Sequence, residues 1–268
     1  MMRVRSGDAE IAFEILGEGP PVMLLHAFPA HHGLWLPAAQ ALINRYRVIL
    51  PDLRGHGESG VGDGPATMEK HASDLVRVLD HASVRRAVMA GVSLGGYVFF
   101  EFWRRYRERV AAVILCDTKA QSDTAEGRAG RLKSADDVME RGTEPFVESM
   151  IPKLFGKTTL NTRPDLVDEA RRMMMKMSPA AISAVQRGMA ERPDSAATFD
   201  SINVPALVVV GEEDTLSTLS DAEFMRGKLV GSQLKVIPRA GHYAVWEQPA
   251  AVGSVVRQFL DSVRVASE

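Results

Sequence analysis

Six short apolar runs, set apart by longer amphipathic or polar segments, restrict this chain more than any other feature. They are Val22–His26, Val48–Leu50, Ala87–Ala90, Val110–Cys116, Ala206–Val210 and Leu234–Ile237. Most are continuous rather than alternating and rich in β-branched residues, the pattern of strands covered on both faces in a mostly parallel sheet. The spacers carry helical periodicity. Val252, Val255, Val256, Phe259, Leu260 and Val263 form one apolar stripe behind Pro249, which suits a first helical turn. Leu75, Val76, Leu79 and Ala82 repeat the pattern after Thr67, a candidate N-cap for a helix over Glu69–Ala82. Near the start, about Arg3–Arg5 and Glu10–Leu16 read as two strands joined by a turn at Ser6-Gly7-Asp8. Strands alternating with helices imply an α/β layered fold with the sheet in the middle.

From about Lys119 to Asp200 this alternation stops. Apolar residues there recur at helical spacing between Pro145, Pro152, Pro164, Pro179 and Pro193. So long a stretch is not a structureless loop in a compact domain. The expectation is a helical cap over residues 119–200, inserted into a core made of residues 1–118 and 201–268. Seven of the thirteen methionines fall inside it: Met139, Met150, Met173, Met174, Met175, Met177 and Met189. Flexible thioethers suit an adaptable pocket wall, and equally the packing of a cap on itself.

Composition removes several classes of function. The 268 residues allow one large domain with an insertion or two small ones. With 46% hydrophobic and 25% charged residues the chain is not a disordered one. Lys+Arg 32 against Asp+Glu 34 gives a net charge of −2, with no basic excess to attract nucleic acid. Cys116 is the single cysteine, so an internal disulfide and a cysteine-based zinc site are both excluded; in its apolar run it reads as a small buried hydrophobe. The first residues lack the apolar core and cleavage site of a secretory signal, and no run approaches the ~18 apolar residues of a membrane span. A cytoplasmic protein with no membrane partner, monomeric or homodimeric, is expected.

The chemistry concentrates at three strand ends. Gly91-Val92-Ser93-Leu94-Gly95-Gly96 follows the run Ala87–Ala90 and opens the apolar helical stretch Tyr97–Trp103. A serine on a tight strand-to-helix turn projects its hydroxyl above the sheet, and small neighbours are needed because the backbone is crowded there. That hydroxyl is a weak nucleophile without a base, and the base needs an orienting acid. Asp214 lies just past Ala206–Val210, and His242 just past Leu234–Ile237. Ligands meet open parallel sheets at such carboxyl ends, and the order Ser, Asp, His fits a hydrolytic triad. Asp117, at the end of Val110–Cys116, is an alternative acid. An oxyanion formed in the attack needs two donors. Leu94 N–H follows the serine directly; in His26-Ala27-Phe28-Pro29 the proline has no N–H, so Phe28 supplies the second.

The chain resembles the α/β-hydrolase fold family over nearly its whole length. The serine turn carries the resemblance, together with the His26-Ala27-Phe28-Pro29 loop and Pro51-Asp52-Leu53-Arg54-Gly55-His56-Gly57-Glu58-Ser59, a turn pattern frequent after the second parallel strand. Ala27 departs from the glycine usual at its place, so this loop must accommodate a Cβ. The resemblance implies an eight-stranded, mostly parallel sheet with a helical cap. It also implies nucleophile Ser93, acid Asp214, base His242 and oxyanion donors Phe28 and Leu94. The expected activity is that of a serine hydrolase cleaving carboxylic esters or lactones through an acyl-enzyme, with no metal or organic cofactor. Enol-lactonases, perhydrolases, C–C bond hydrolases and slow-turnover small-ligand receptors share the scaffold. Epoxide hydrolases and haloalkane dehalogenases use an aspartate where this chain has Ser93.

Other polar residues are expected to be structural. Asp52, Arg54 and His56 read as local hydrogen-bonding groups of their turn, His31 and His32 as pocket-rim residues without a nearby carboxylate. His71 and His81 read as solvent-facing, and Glu212 and Glu213 as flanking the acid in a solvated turn. Trp246 packs near the base or covers the sheet.

Overall fold

The computed structural model describes residues 1–263. The N-terminal pair and every apolar run become strands: β1 (Met2–Ser6), β2 (Ala9–Leu16), β3 (Pro21–Leu25), β4 (Arg47–Pro51), β5 (Ala87–Val92), β6 (Val110–Cys116), β7 (Ala206–Gly211) and β8 (Gln233–Ile237). They form a single sheet in the order β1-β2-β4-β3-β5-β6-β7-β8. The pairs β1–β2 and β2–β4 are antiparallel and all others parallel, so the expected eight-stranded, mostly parallel sheet is present. The first hairpin pairs Ser6 with Ala9, leaving Gly7-Asp8 as a two-residue turn with Gly7 at φ +56°. A positive φ there is what such turns require. Strands β3 to β7 are buried on both faces. Edge strand β8 is not: Lys235 and Val236 face solvent, because nothing pairs beyond it.

Helices α1 (Leu36–Ala39), α2 (Met68–His81) and α3 (Leu94–Tyr106) lie between the first six strands. Thr67 caps α2, its hydroxyl accepting from Lys70 N–H at 3.3 Å. Five helices then intervene between β6 and β7: α4 (Ala125–Arg141), α5 (Thr143–Leu154), α6 (Lys157–Thr162), α7 (Pro164–Met174) and α8 (Pro179–Ala190). They fill the span in which no strand is expected. Met173, Met174 and Met177 are buried, whereas Met139 and Met175 are exposed. After these helices come α9 (Leu219–Lys228), α10 (Ala244–Glu247) and α11 (Pro249–Ser262). Helix α11 buries Val252, Val256, Phe259 and Leu260 with Pro249 in its first turn, as the stripe requires. No helix among the described residues is long and apolar enough to cross a membrane.

Strand order reverses at β3, which has β4 on one side and β5 on the other. A crevice opens where connections leave such a sheet in opposite directions. The turn after β4 is fastened there by long-range bonds. Buried Arg54 holds Asp74 of α2 through Nε at 3.0 Å and Nη2 at 2.8 Å, and Asp8 of the first hairpin at 2.5 Å. Removing one partner of such a buried pair strands the other without compensation. Asp52 accepts from His32 N–H and Glu58 N–H, both at 2.9 Å, and from His32 Nδ1 at 2.7 Å. Burial opposes its charge, but these bonds hold its carboxyl well below the usual range. Asp52 is thus the carboxylate that the sequence does not place beside His31 and His32, and its oxygens are taken up in tying two loops together.

His71 is fully buried, against the expectation of a solvent-facing residue, while His81 is exposed. It falls on the face of α2 that also buries Leu75 and Val78, four and seven residues on. Neither ring nitrogen has a hydrogen-bond partner among the described residues, and burial drives its pKa well below that of a free imidazole. The unfolded chain therefore takes up a proton below about pH 6.5 that the folded chain refuses, and stability contributed by neutral His71 is lost on acidification. In His71→Leu this loss should disappear. Urea titrations of both proteins at pH 7.5 and 5.5 should show the variant gaining about 1 kcal/mol on wild type as the pH falls. A difference independent of pH would show that His71 titrates alike in both states.

Candidate active site

Ser93 sits between β5 and α3 at φ +50° and ψ −110°, a conformation that L-residues rarely adopt. Bonds from both sides impose it. Ser93 N–H donates to Cys116 O of β6 at 3.1 Å, and Thr118 Oγ1 donates to Ser93 O at 2.9 Å. The flanking glycines are sterically required: a Cβ on Gly95 would lie 2.6 Å from Leu25 O, and one on Gly91 would collide with the backbone of Gly95. The sequence reading of crowding at this turn is therefore met by named atoms. Cys116 is buried in the strand alongside, as expected.

His242 and Asp214 come from the ends of the last two strands. His242 Nδ1 lies 2.8 Å from Asp214 Oδ2, with both side chains buried. The other Asp214 oxygen accepts from Leu216 N–H at 2.8 Å and Ser217 N–H at 3.1 Å. A carboxylate so engaged is an acceptor, which puts the imidazole proton on Nδ1 and leaves the Nε2 lone pair free. His242 and Ser93 line one cavity of about 200 Å³, together with Phe28, Tyr97 and residues of α4, α5 and α8. Asp117, the alternative acid, makes no hydrogen bond to His242 among the described residues. Its Oδ1 accepts from Gly211 N–H at 2.7 Å, and burial beside Asp214 pushes its carboxyl well up.

The loop after β3 is oriented from below. His26 Nε2 accepts from Leu53 N–H at 2.9 Å, so Nδ1 carries the proton and donates to Ala27 O, also at 2.9 Å. Burial keeps this imidazole neutral by lowering its pKa well below the usual value. Ala27 O also accepts from Ala30 N–H at 3.0 Å. These two bonds fix the plane of the Ala27–Phe28 peptide, and with it the direction of Phe28 N–H. Tyr243 Oη donates to Phe28 O at 3.1 Å. The Cβ of Ala27 is fully buried, so the loop does accommodate it.

Two carboxylates, one expected elsewhere and one not singled out, join the inserted helices to the loops of Asp214 and His242. Glu213, expected in a solvated turn, accepts from Thr158 N–H at 2.8 Å and Thr158 Oγ1 at 2.6 Å. Glu247, not singled out in the sequence, is buried and accepts from Gly156 N–H at 2.9 Å and Gly241 N–H at 2.8 Å. The backbones of Gly156, Gly241 and Gly211 stack so closely that a Cβ on any of them would overlap a neighbour. Trp246 donates to Leu166 O at 3.2 Å, which places it against α7 rather than beside the base. Glu247 and Tyr243 had no local sequence signal beyond lying next to His242.

The sheet order, the serine turn and the paired carboxylate and imidazole at the strand ends are those of the α/β-hydrolase class. The comparisons agree. A family model for the alpha/beta hydrolase fold matches residues 20–249, and the chain belongs to that family. Among solved structures it is similar to a thermophilic esterase from Thermogutta terrifontis, solved with malate bound, at 39% identity and TM-score 0.95 over 98% of this chain and 99% of that one. The enol-lactonase from Burkholderia xenovorans LB400 shares the fold at TM-score 0.90 and 24% identity, over 97% of this chain and all of that one. A curated relative, 3-oxoadipate enol-lactonase 2 of Acinetobacter baylyi, is 26% identical over 251 residues, covering 93% of this chain and 92% of its own.

Glu247 is testable as the clasp between α6 and the base loop. Burial raises its pKa, but both oxygens face N–H donors. Glu247→Gln would turn an amide NH₂ toward one of those donors. An unmatched buried group of this kind costs about 1–3 kcal/mol, so the urea midpoint at pH 7.5 should fall accordingly. An unchanged midpoint would mean that the clasp contributes nothing.

Proposed function

We propose that this chain is a serine hydrolase of carboxylic esters or lactones, acting through an acyl-enzyme on Ser93. The observation that carries this reading is the 2.8 Å bond that His242 Nδ1–H donates to Asp214 Oδ2, which leaves the Nε2 lone pair for the cavity that His242 and Ser93 both line. Ser93 Oγ attacks the acyl carbon while His242 Nε2 takes its proton. Asp214 holds the tautomer and stabilises the imidazolium that forms. The backbone N–H groups of Leu94 and Phe28 receive the oxyanion. Collapse of the tetrahedral adduct breaks the ester C–O bond, and His242 returns the proton to the departing alkoxide. Water then adds to the acyl-enzyme with one proton passing to the same nitrogen; collapse of this second adduct breaks the bond from the acyl carbon to Ser93 Oγ, His242 returns the proton to that oxygen, and the carboxylic acid is released.

Residues 119–200 act in this reading as a cap over the core formed by 1–118 and 201–268. Their helices contribute Arg131, Met150, Lys153, Leu154, Gln186 and Met189 to the cavity wall. Met150 and Met189 thus serve the pocket, Met189 while itself buried, and Met173, Met174 and Met177 are buried without lining it. Lactone opening by the same steps is favoured as a second activity by the similarity to an enol-lactonase at 26% identity; the alcohol and acid then remain one molecule.

A fluorophosphonate should label the protein once, with peptide mass analysis placing the adduct on Ser93, and Ser93→Ala should abolish both labelling and turnover of a simple aryl ester. Asp214→Asn should lower kcat by about three to four orders of magnitude, as loss of the orienting acid does in such triads. Asp117→Asn keeps the acceptor for Gly211 N–H and should cost less than about tenfold. Turnover that survives Ser93→Ala overturns the assignment of the nucleophile. A larger loss in Asp117→Asn than in Asp214→Asn overturns that of the acid.

A further inference from the structure

Resting on that acyl-transfer reading, we infer that the cavity selects an ester or lactone bearing a carboxylate of its own, and that Lys119 and Lys153 are the residues that recognise it. The cavity wall carries three cations, Lys119, Arg131 and Lys153, and no carboxylate. This is a local imbalance, since the whole chain has a net charge of −2. Lys119 lies three residues beyond β6, in the loop leading into the inserted helices, and is half-buried; Lys153 lies on α5 and is exposed. The two reach the cavity from different elements.

Neither lysine ammonium has a hydrogen bond or ion pair among the described residues. The third cation shows what pairing looks like here. Arg131 Nε reaches Asp123 at 2.5 Å, but Arg192 holds the same carboxylate at 2.6 Å, so two guanidinium groups share one negative charge. Positive charge is left over at the wall. A further donor lacks an acceptor: Ser217, 1% exposed, lines the cavity with Oγ unpartnered among the described residues. A neutral substrate would leave the buried Ser217 hydroxyl unmatched, which is costly, and would offer the ammonium groups no counter-charge. A carboxylate, which only accepts hydrogen bonds, satisfies ammonium and hydroxyl together.

The test compares two esters of equal chain length, the p-nitrophenyl monoester of glutaric acid and p-nitrophenyl pentanoate. At low ionic strength kcat/KM should favour the anionic ester by about tenfold or more, the value of a charge-assisted hydrogen bond. The preference should reside in KM and shrink in ~0.5 M salt, where exposed charges are screened. In Lys119→Gln/Lys153→Gln the ratio should fall about tenfold, and Lys119→Arg/Lys153→Arg should restore most of it. Calorimetry on the intact protein should show glutarate binding weakened in the glutamine variant by a similar factor. A wild-type ratio near one, or a ratio the glutamine variant leaves unchanged, overturns the inference while the esterase reading stands. Glutarate bound through the two lysines with neither ester hydrolysed would leave the anion site standing and overturn the esterase reading.

Discussion

The site depends on a backbone conformation that Ser93 would not adopt alone. A non-glycine residue at φ +50° and ψ −110° costs on the order of 1–3 kcal/mol and persists only where its surroundings dictate it. Here the dictation comes from the centre of the sheet. Cys116 O and Thr118 Oγ1 engage the Ser93 backbone from β6 and its following loop, while the backbone of Leu25 presses on Gly95 from β3. Strand β5 is buried between these two neighbours and cannot shift to relieve the turn. The loop carrying Phe28 N–H leaves the same Leu25, so the strain at the serine and the placing of the second amide have one origin.

Around that point, identical side chains are driven to different chemistry by their surroundings. Three carboxyl groups crowd the carboxyl end of β6, β7 and β8. Asp214 receives two backbone N–H groups and an imidazole; Asp117 receives one N–H beside a like charge, and its carboxyl is pushed well up; Glu247 spans two glycine amides. Imidazoles divide in the same way. Burial lowers the pKa of His56 to about 4 and those of His26 and His71 well below that of a free imidazole, and none of these three has a carboxylate hydrogen bond among the described residues. His26 works instead as a neutral bridge between two loops. His242 has a buried carboxylate on one nitrogen and the cavity on the other, the arrangement that a proton carrier needs.

What could be read from the sequence was whatever a single element decides. Runs such as Val110–Cys116 became strands because an apolar β-branched segment is stable only when both faces are covered, and Ser93, Asp214 and His242 were marked by standing just beyond strands. His71 was also legible, since it shares a helical face with Leu75 and Val78; weighting its polarity above its position misplaced it. Glu247 was not legible. Its partners are Gly241, six residues away, and Gly156, 91 residues away, and no local pattern announces a contact between two glycine amides and a distant carboxylate. The cations of the cavity were hidden for the same reason. Lys119, Arg131 and Lys153 look like ordinary surface charges until five helices fold back over the sheet.

That folding back separates the contacts that place His242 from the residues that line the cavity. Helix α6 is fastened to the acid and base loops through Glu213, Glu247 and the stacked glycines, so the position of His242 depends on it. The pocket walls come from other helices. α4 packs on α8 and is tied into the insertion by the Arg131–Asp123–Arg192 cluster, with Arg192 also stacked on Tyr97 at 4.2 Å. A substitution at Lys153 or Met189 changes what the cavity accepts without touching an atom that positions the imidazole. One at Gly156 or Gly241 moves the imidazole whatever the cavity accepts. The lining of the cavity by α4, α5 and α8 and the fastening of α6 to the loops beneath it are thus separate features of this fold.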